Sequence, residues 1–392
     1  MKARTSNNGA IRRRNQAPKQ ARLHQVAIVG AGPAGLGCAV ALKEFGIDDT
    51  IILDRHEVGA SFRRWPKEMR FITPSFTSNA FGLLDLNAIV PQTSPAYTLD
   101  REHPSGTDYA AYLNIVVQHF ELRVNLGIDV CRVAADGDGT FTLTTNDRPV
   151  RARHVIWAAG EFQYPDRDSF AGAESCCHSS QVRTWHELEG DRFTVIGGYE
   201  SGADAAVSLV QLGKNVTVLA RYSTWMSEHP DPSISLSPYS RERLETACST
   251  GSLNLVDNVD VTSVRVNGET WVVRASDGRE WASKTRPILA TGYKGSLGHL
   301  DGLIEYDEGG APVVTEEADE STLVPGLFIS GPILKHRGVN FCFIYKFRQR
   351  FAVVADAIAQ RLGKDTTKAV AVHRAAGMYM DDLTCCGESC AC

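Results

Sequence analysis

The feature that most constrains this chain is a glycine-rich turn set between a strand and a helix. Residues 25–30 read Gln-Val-Ala-Ile-Val-Gly, a short apolar run suited to a buried parallel strand. Gly30-Ala31-Gly32-Pro33-Ala34-Gly35 follows, then a helical pattern from Leu36 to Phe45. In that setting the first glycine permits the tight turn, the second lets a phosphate approach the backbone, and the third lets helix pack on strand. The helix N-terminus then offers unpaired N–H groups to a pyrophosphate. A second strand, Thr50–Leu53, runs into Asp54 and Arg55, and an acid at that place can accept hydrogen bonds from a ribose diol.

The pattern returns further along. A strand at Phe193–Ile196 leads into Gly197-Gly198-Tyr199-Glu200-Ser201-Gly202 and a helix through Leu212. Tyr199 stands where a second glycine would, so the loop differs somewhat in shape. The next strand, Asn215–Ala220, ends on Arg221. An acid there would repel a 2′-phosphate, whereas arginine pairs with one, which favours NADPH over NADH. Each half continues with three strands: Ile128–Ala134, Thr140–Thr145 and Arg151–Trp157, then Val259–Val264, Thr270–Arg274 and Glu280–Leu289. Each set closes on small residues, Ala158-Ala159-Gly160 and Ala290-Thr291-Gly292. Two copies of one design predict an α/β fold with two Rossmann-like dinucleotide-binding domains.

Composition removes other classes. A net charge of −5 gives no footprint for nucleic acid. No apolar run approaches the ~18–20 residues that span a bilayer, so the expectation is a soluble, cytoplasmic protein without a membrane partner. Residues 1–22 carry seven basic side chains and no acid, and read as a disordered basic tail. No apolar stretch follows them as a secretory signal would require.

Together these features resemble the flavoproteins with two dinucleotide-binding domains, a superfamily holding the pyridine nucleotide-disulfide oxidoreductases, thioredoxin reductases and flavin-containing monooxygenases. The resemblance implies FAD on the first loop (Gly30, Gly32, Pro33, Ala34, Gly35, Asp54, Arg55), with Ala159 and Gly160 beside it. It implies NADPH on the second loop (Gly197, Gly198, Tyr199, Glu200, Ser201, Arg221), with Thr291 and Gly292 at the crossing back. Gly331, Asn340 and Phe341 would then lie near the flavin. The NADPH domain, 166–285, is expected to be nested in an FAD domain of 23–165 and 286–378. Two stretches are similar to the bacillithiol-disulfide reductase-like branch: Val195-Ile196-Gly197-Gly198 with Ser201, Asp204, Ala205 and Ala206, and Asn340 with Phe343, Ile344 and Arg348. That branch carries a cysteine in the first loop, where this chain has Ala34. Disulfide reductases place an aspartate after the last glycine, where this chain has Pro332. Phe170-Ala171-Gly172 with His178, and Ser61–Pro66, resemble the monooxygenases in part.

No Cys-x-x-Cys dithiol occurs within either half. The unusual feature is the segment 379–392, whose Cys385, Cys386, Cys390 and Cys392 crowd four of the chain's ten cysteines into its last eight residues. They suit a dithiol shuttle or the binding of a soft metal ion. Cys342, expected near the flavin, could relay to them. Loop histidines His103 and His229 are acid–base candidates, and the long insertion 66–108 could shape a substrate pocket. The expected activity is NADPH-dependent FAD reduction of a disulfide or thiol-bound soft metal through the terminal cysteines. The alternative is monooxygenation of a soft heteroatom. The partner is a small-molecule or thiol/disulfide substrate, and a homodimer would let one subunit's tail reach the other's flavin.

Overall fold

A computed structural model describes residues 22–77, 84–229 and 231–384. Cys385, Cys386, Cys390 and Cys392 lie outside the described residues, as do residues 1–21.

Strands β1 (Leu23–Val29), β2 (Thr50–Asp54), β3 (Val124–Leu126), β4 (Val130–Ala135), β5 (Phe141–Thr145) and β6 (Val150–Trp157) form one sheet in the order β3-β2-β1-β6-β5-β4. The short strand Leu327–Ile329 joins it beside β6. β6 is the hinge of this arrangement. From Arg151 to Trp157 it pairs parallel with β1, its first residues pair antiparallel with β5, and its last three pair parallel with Leu327–Ile329. Residues Val26–Val29 and His154–Trp157 are buried without alternation, as strands covered on both faces must be. The Pro33–Glu44 and Phe351–Arg361 helices pack against one another in the same core.

A second sheet, wholly parallel, runs in the order β10-β9-β8-β14-β7, from β7 (Cys177–His178), β8 (Arg192–Ile196), β9 (Asn215–Leu219), β10 (Leu253–Val256) and β14 (Ile288–Leu289). Strands β11 (Val261–Asn267), β12 (Thr270–Ala275) and β13 (Glu280–Ser283) form a separate antiparallel sheet. Here the two halves part company. The sequence suggested one strand over Glu280–Leu289, but the chain breaks between Ser283 and Ile288, sending β13 to one sheet and β14 to the other. Pro287 lacks an N–H and cannot donate within a ladder, and Ser283 Oγ instead accepts from the Thr285 N–H to form a turn. In the first half no proline interrupts β6, so one strand serves both partners.

The insertion 66–108 is tied down. The Ser94 hydroxyl caps the Pro95–Leu99 helix and itself donates to the Asp85 carboxylate. Arg348, nearly buried, donates to the carbonyls of Asp85 and Ala88. At the other end of the chain, residues 379–384 also pack on the core. Tyr379 Oη donates to Asp356 Oδ2 at 2.6 Å, the Met380 carbonyl accepts from Arg350 Nη1 at 2.5 Å, and Leu383 is buried.

Candidate functional site

The first glycine loop opens onto a cleft of about 660 Å³ lined from both glycine loops and both crossover turns. Its backbone is shaped by contacts that leave no room for side chains. Gly30 has a φ of +112°, and a Cβ there would sit 2.3 Å from the Ala158 carbonyl oxygen; one on Gly35 would sit 1.9 Å from the Gly30 oxygen. Gly32 differs, because a Cβ there would meet nothing within 4 Å. Gly32 is therefore the position where the loop faces open cleft. It also heads the Pro33–Glu44 helix without any side-chain cap, so the first-turn N–H groups stay available for an anion. Asp54 is fixed at the same edge, accepting from the N–H groups of Ala31 and His56 at 2.8 Å each.

Ala34, Ala159 and Gly160 complete this end of the cleft. Gly331 stands behind it, with a φ of +112° and its Cα side close to the Ala34 methyl. Arg55 lies beside the cleft, bonded to Gln163 at 3.1 Å and set over the Tyr164 ring. Asn340 and Phe341 stand behind the wall, and their neighbours Cys342, Phe343 and Ile344 line it instead. Opposite, Phe62, Trp65 and Phe71 make a wall of packed rings with centroids 5.0–5.5 Å apart. A helix end free for phosphate, a braced acid and an apolar aromatic wall fit FAD.

The second loop borders a cavity of about 540 Å³. Gly197 and Gly202 repeat the clashes of Gly30 and Gly35, with a Cβ 2.3 Å from the Ala290 oxygen and 1.9 Å from the Gly197 oxygen respectively. Gly198 is packed beneath Trp225, and Tyr199 begins the Glu200–Gln211 helix without a side-chain cap. Arg221 stands at the rim, 64% exposed. These residues fit a dinucleotide with a 2′-phosphate at the arginine. Thr291 borders both cavities, whereas Gly292 lines the first alone. Glu200 and Ser201 turn to the first cleft too. Glu200 accepts from the Ser237 N–H at 2.6 Å and from the Ser240 hydroxyl at 2.5 Å, which braces the start of the Pro238–Ser249 helix.

The thiols divide by environment. Cys38 is fully buried, donates to Ser330 Oγ at 3.3 Å, and has its pKa pushed up to about 12 by burial. Cys342 lines the first cleft with its sulfur 3.1 Å from Ser233 Oγ. Lys346 reaches the same hydroxyl at 3.0 Å and pairs with Asp231 at 2.7 Å. Burial raises the Cys342 thiol pKa, with the Ser233 hydrogen bond and the Lys346 charge opposing. Neither loop histidine enters the cleft. His103 binds the Phe71 carbonyl and stacks on Tyr239, and His229 accepts from the Asp231 N–H. His178 is buried and holds the Gly292 carbonyl at 3.1 Å, a structural part. Glu161 and Tyr293 are among the cleft residues that had no sequence reading. Each follows directly on a crossover turn, and that shared position was the available signal.

With the geometry in place, the comparisons follow. A family model for the pyridine nucleotide-disulphide oxidoreductases matches residues 27–331. The chain belongs to that family. It is thus an oxidoreductase enzyme using FAD and NAD(P)H. This oxidoreductase is 27% identical over 337 residues to the bacilliredoxin reductase Bdr of Bacillus subtilis, across 85% of this chain and 97% of that one. Its fold is similar to the bacillithiol disulfide reductase Bdr of Staphylococcus aureus, with a TM-score of 0.71, 23% identity and coverage of 87% and 99%. A flavin-containing monooxygenase of Stenotrophomonas maltophilia matches with a TM-score of 0.67 and 20% identity, over 86% of this chain and 99% of that one. Among the described residues no helix is long and apolar enough to cross a membrane.

Proposed function

We propose that this oxidoreductase takes electrons from NADPH and delivers them to a disulfide or other thiol-linked acceptor. The observation that carries the reading is the cleft itself, where a helix N-terminus built for phosphate, an aromatic wall and the Cys342 thiol meet in one cavity. The relation to the bacilliredoxin reductase of B. subtilis supports the same acceptor class. FAD, when bound, supplies the two-electron chemistry. The chain's own residues do the rest. Residues 23–165 and 286–378 would hold FAD, and 166–285 would hold NADPH, with β14 completing the second sheet. Gly32 lets the pyrophosphate reach the backbone, Gly30 and Gly35 permit the turn that presents it, and Asp54 anchors the ribose. Arg221 selects the 2′-phosphate, so Arg221→Ala should raise the KM for NADPH about 10- to 100-fold, from the ~1.5–3 kcal/mol of a charged hydrogen bond, and leave NADH unchanged.

Cys342 and the terminal cysteines, Cys385, Cys386, Cys390 and Cys392, are the thiols proposed to meet the acceptor. The terminal four are also the proposed ligands for a soft metal. A homodimer in the cytoplasm would let one subunit's terminal cysteines serve the other's cleft. One observation favours a second reading, monooxygenation: Cys342 is the only thiol lining the cleft among the described residues, so no dithiol stands there. Anaerobic reduction by NADPH, followed by oxygen-free addition of hydroxyethyl disulfide, separates the two. Reoxidation by the disulfide, lost when the terminal cysteines become serine, supports the reductase. Reoxidation by oxygen alone, indifferent to those serines, overturns it.

A further inference from the structure

The two crossover turns occupy matching places in the internal repeat, and they come together. Ala158-Ala159-Gly160 is followed by Glu161, and Ala290-Thr291-Gly292 by Tyr293. The strands leaving them run side by side. The Asp166 N–H donates to the Gly292 carbonyl at 3.0 Å and the Lys294 N–H to the Tyr164 carbonyl at 2.8 Å, with Tyr293 bridged antiparallel to Pro165. Both side chains line the first cleft. Ser201 and Ser179 are neighbours of the Tyr293 hydroxyl. Among the described residues the Glu161 carboxyl makes no hydrogen bond or ion pair, which is unusual for a half-buried acid. When ionised, its charge acts on Tyr293 and, as the smallest of the influences on that thiol, on Cys342. Behind Cys342, Lys346 and Asp231 are already paired with each other. Burial, and nothing else, shifts the Glu161 pKa, and it shifts it upward, towards a neutral carboxylic acid.

Reducing a disulfide breaks one S–S bond with two electrons and needs two protons. NADPH carries the electron pair and one proton, so a second proton must come from elsewhere. A carboxylic acid that burial makes hold its proton more tightly, lining the same cleft as the thiol that would meet the acceptor, is placed to give it. We propose that Glu161 is the catalytic acid of the acceptor half-reaction: as the electron pair from NADPH breaks the S–S bond of a small disulfide in this cleft, one sulfur takes the proton that came with the hydride and the other, leaving as thiolate, takes the proton of Glu161. The proposal rests on the reductase reading. Glu161 regains its proton from water between turnovers.

The test has two arms, both on the full chain. In the first, the Cys342 peptide is followed by mass spectrometry during iodoacetamide labelling from pH 6 to 10, in the FAD-free and FAD-loaded protein. An ionised Glu161 raises the pKa of Cys342, so Glu161→Gln should move the labelling midpoint to lower pH. An unchanged midpoint in both forms would mean the carboxyl does not face the thiol, and the proposal would fall. In the second arm, anaerobic stopped-flow separates reduction by NADPH from reoxidation by hydroxyethyl disulfide. Glu161→Gln should leave the first rate unchanged and slow the second about 100-fold, in the range of general acid catalysis. Glu161→Asp should restore part of it. The wild-type reoxidation rate should fall as pH rises through the elevated Glu161 pKa, because the acid is spent above it, while Glu161→Gln stays low and flat. If wild type is reoxidised by the disulfide and Glu161→Gln keeps pace, the acid role is overturned and the reductase reading survives. If no disulfide reoxidises the reduced wild type, the reductase reading fails and takes the acid role with it.

Discussion

Three glycines of one loop do different work, although their residue type is the same. Gly30 and Gly35 are glycine because neighbouring carbonyls occupy the space of a Cβ, whereas Gly32 is glycine with nothing opposite it. The first pair belongs to folding and the last to binding. Gly35→Ala should therefore fail to give a folded protein, since the clash at 1.9 Å is with backbone that cannot turn aside. Gly32→Ala should fold with a melting temperature near that of the wild-type apoprotein yet bind FAD at least about 10-fold more weakly, a loss of ~1.4 kcal/mol. Thermal melts and flavin titration on both variants check the split. Equal loss of fold in the two would contradict it.

At the scale of elements, the repeat was legible because both glycine turns sit between a strand and a helix in the pattern that nucleotide phosphates require. The cleft was less so. Glu161 and Tyr293 owe their meeting to two crossover strands running side by side, a tertiary contact that no local pattern encodes. The break between β13 and β14 was also hidden, since Glu280–Leu289 reads as one run until Pro287 is weighed against the sheet each end must join. Arg348 shows the opposite case. The sequence singled it out beside the flavin segment, and its guanidinium instead fastens the 66–108 insertion through two carbonyls. Arg348→Met should leave those carbonyls unpaired, at about 1–3 kcal/mol, and loosen the insertion ahead of the rest. Limited proteolysis should then cut within 66–108 faster than in wild type, while cutting elsewhere stays the same.

For the whole molecule, the segment that matters is the one just before the terminal cysteines. Residues 379–384 are bound to the core through Tyr379, Met380 and Leu383, so the chain is not one loose tail from 379 onward. Ending the protein after Thr384 removes the terminal cysteines alone, and the melting temperature should hold. Ending it after Gly377 also removes buried Met378 and Leu383 and the carbonyl that Arg350 holds. That should lower the melting temperature by about 5 °C or more, since burying each large apolar side chain is worth ~1.5–3 kcal/mol. The two truncations let chemistry at the terminal thiols be read apart from stability.

Two tryptophans report on the two nucleotide cavities, Trp65 in the aromatic wall of the first and Trp225 packed against Gly198 of the second. Their emission makes each cavity its own optical gauge. Filling the first should quench Trp65 fluorescence and filling the second should alter that of Trp225. Single Trp→Phe variants would let the order in which the two nucleotides arrive be followed by light alone, in the unlabelled protein.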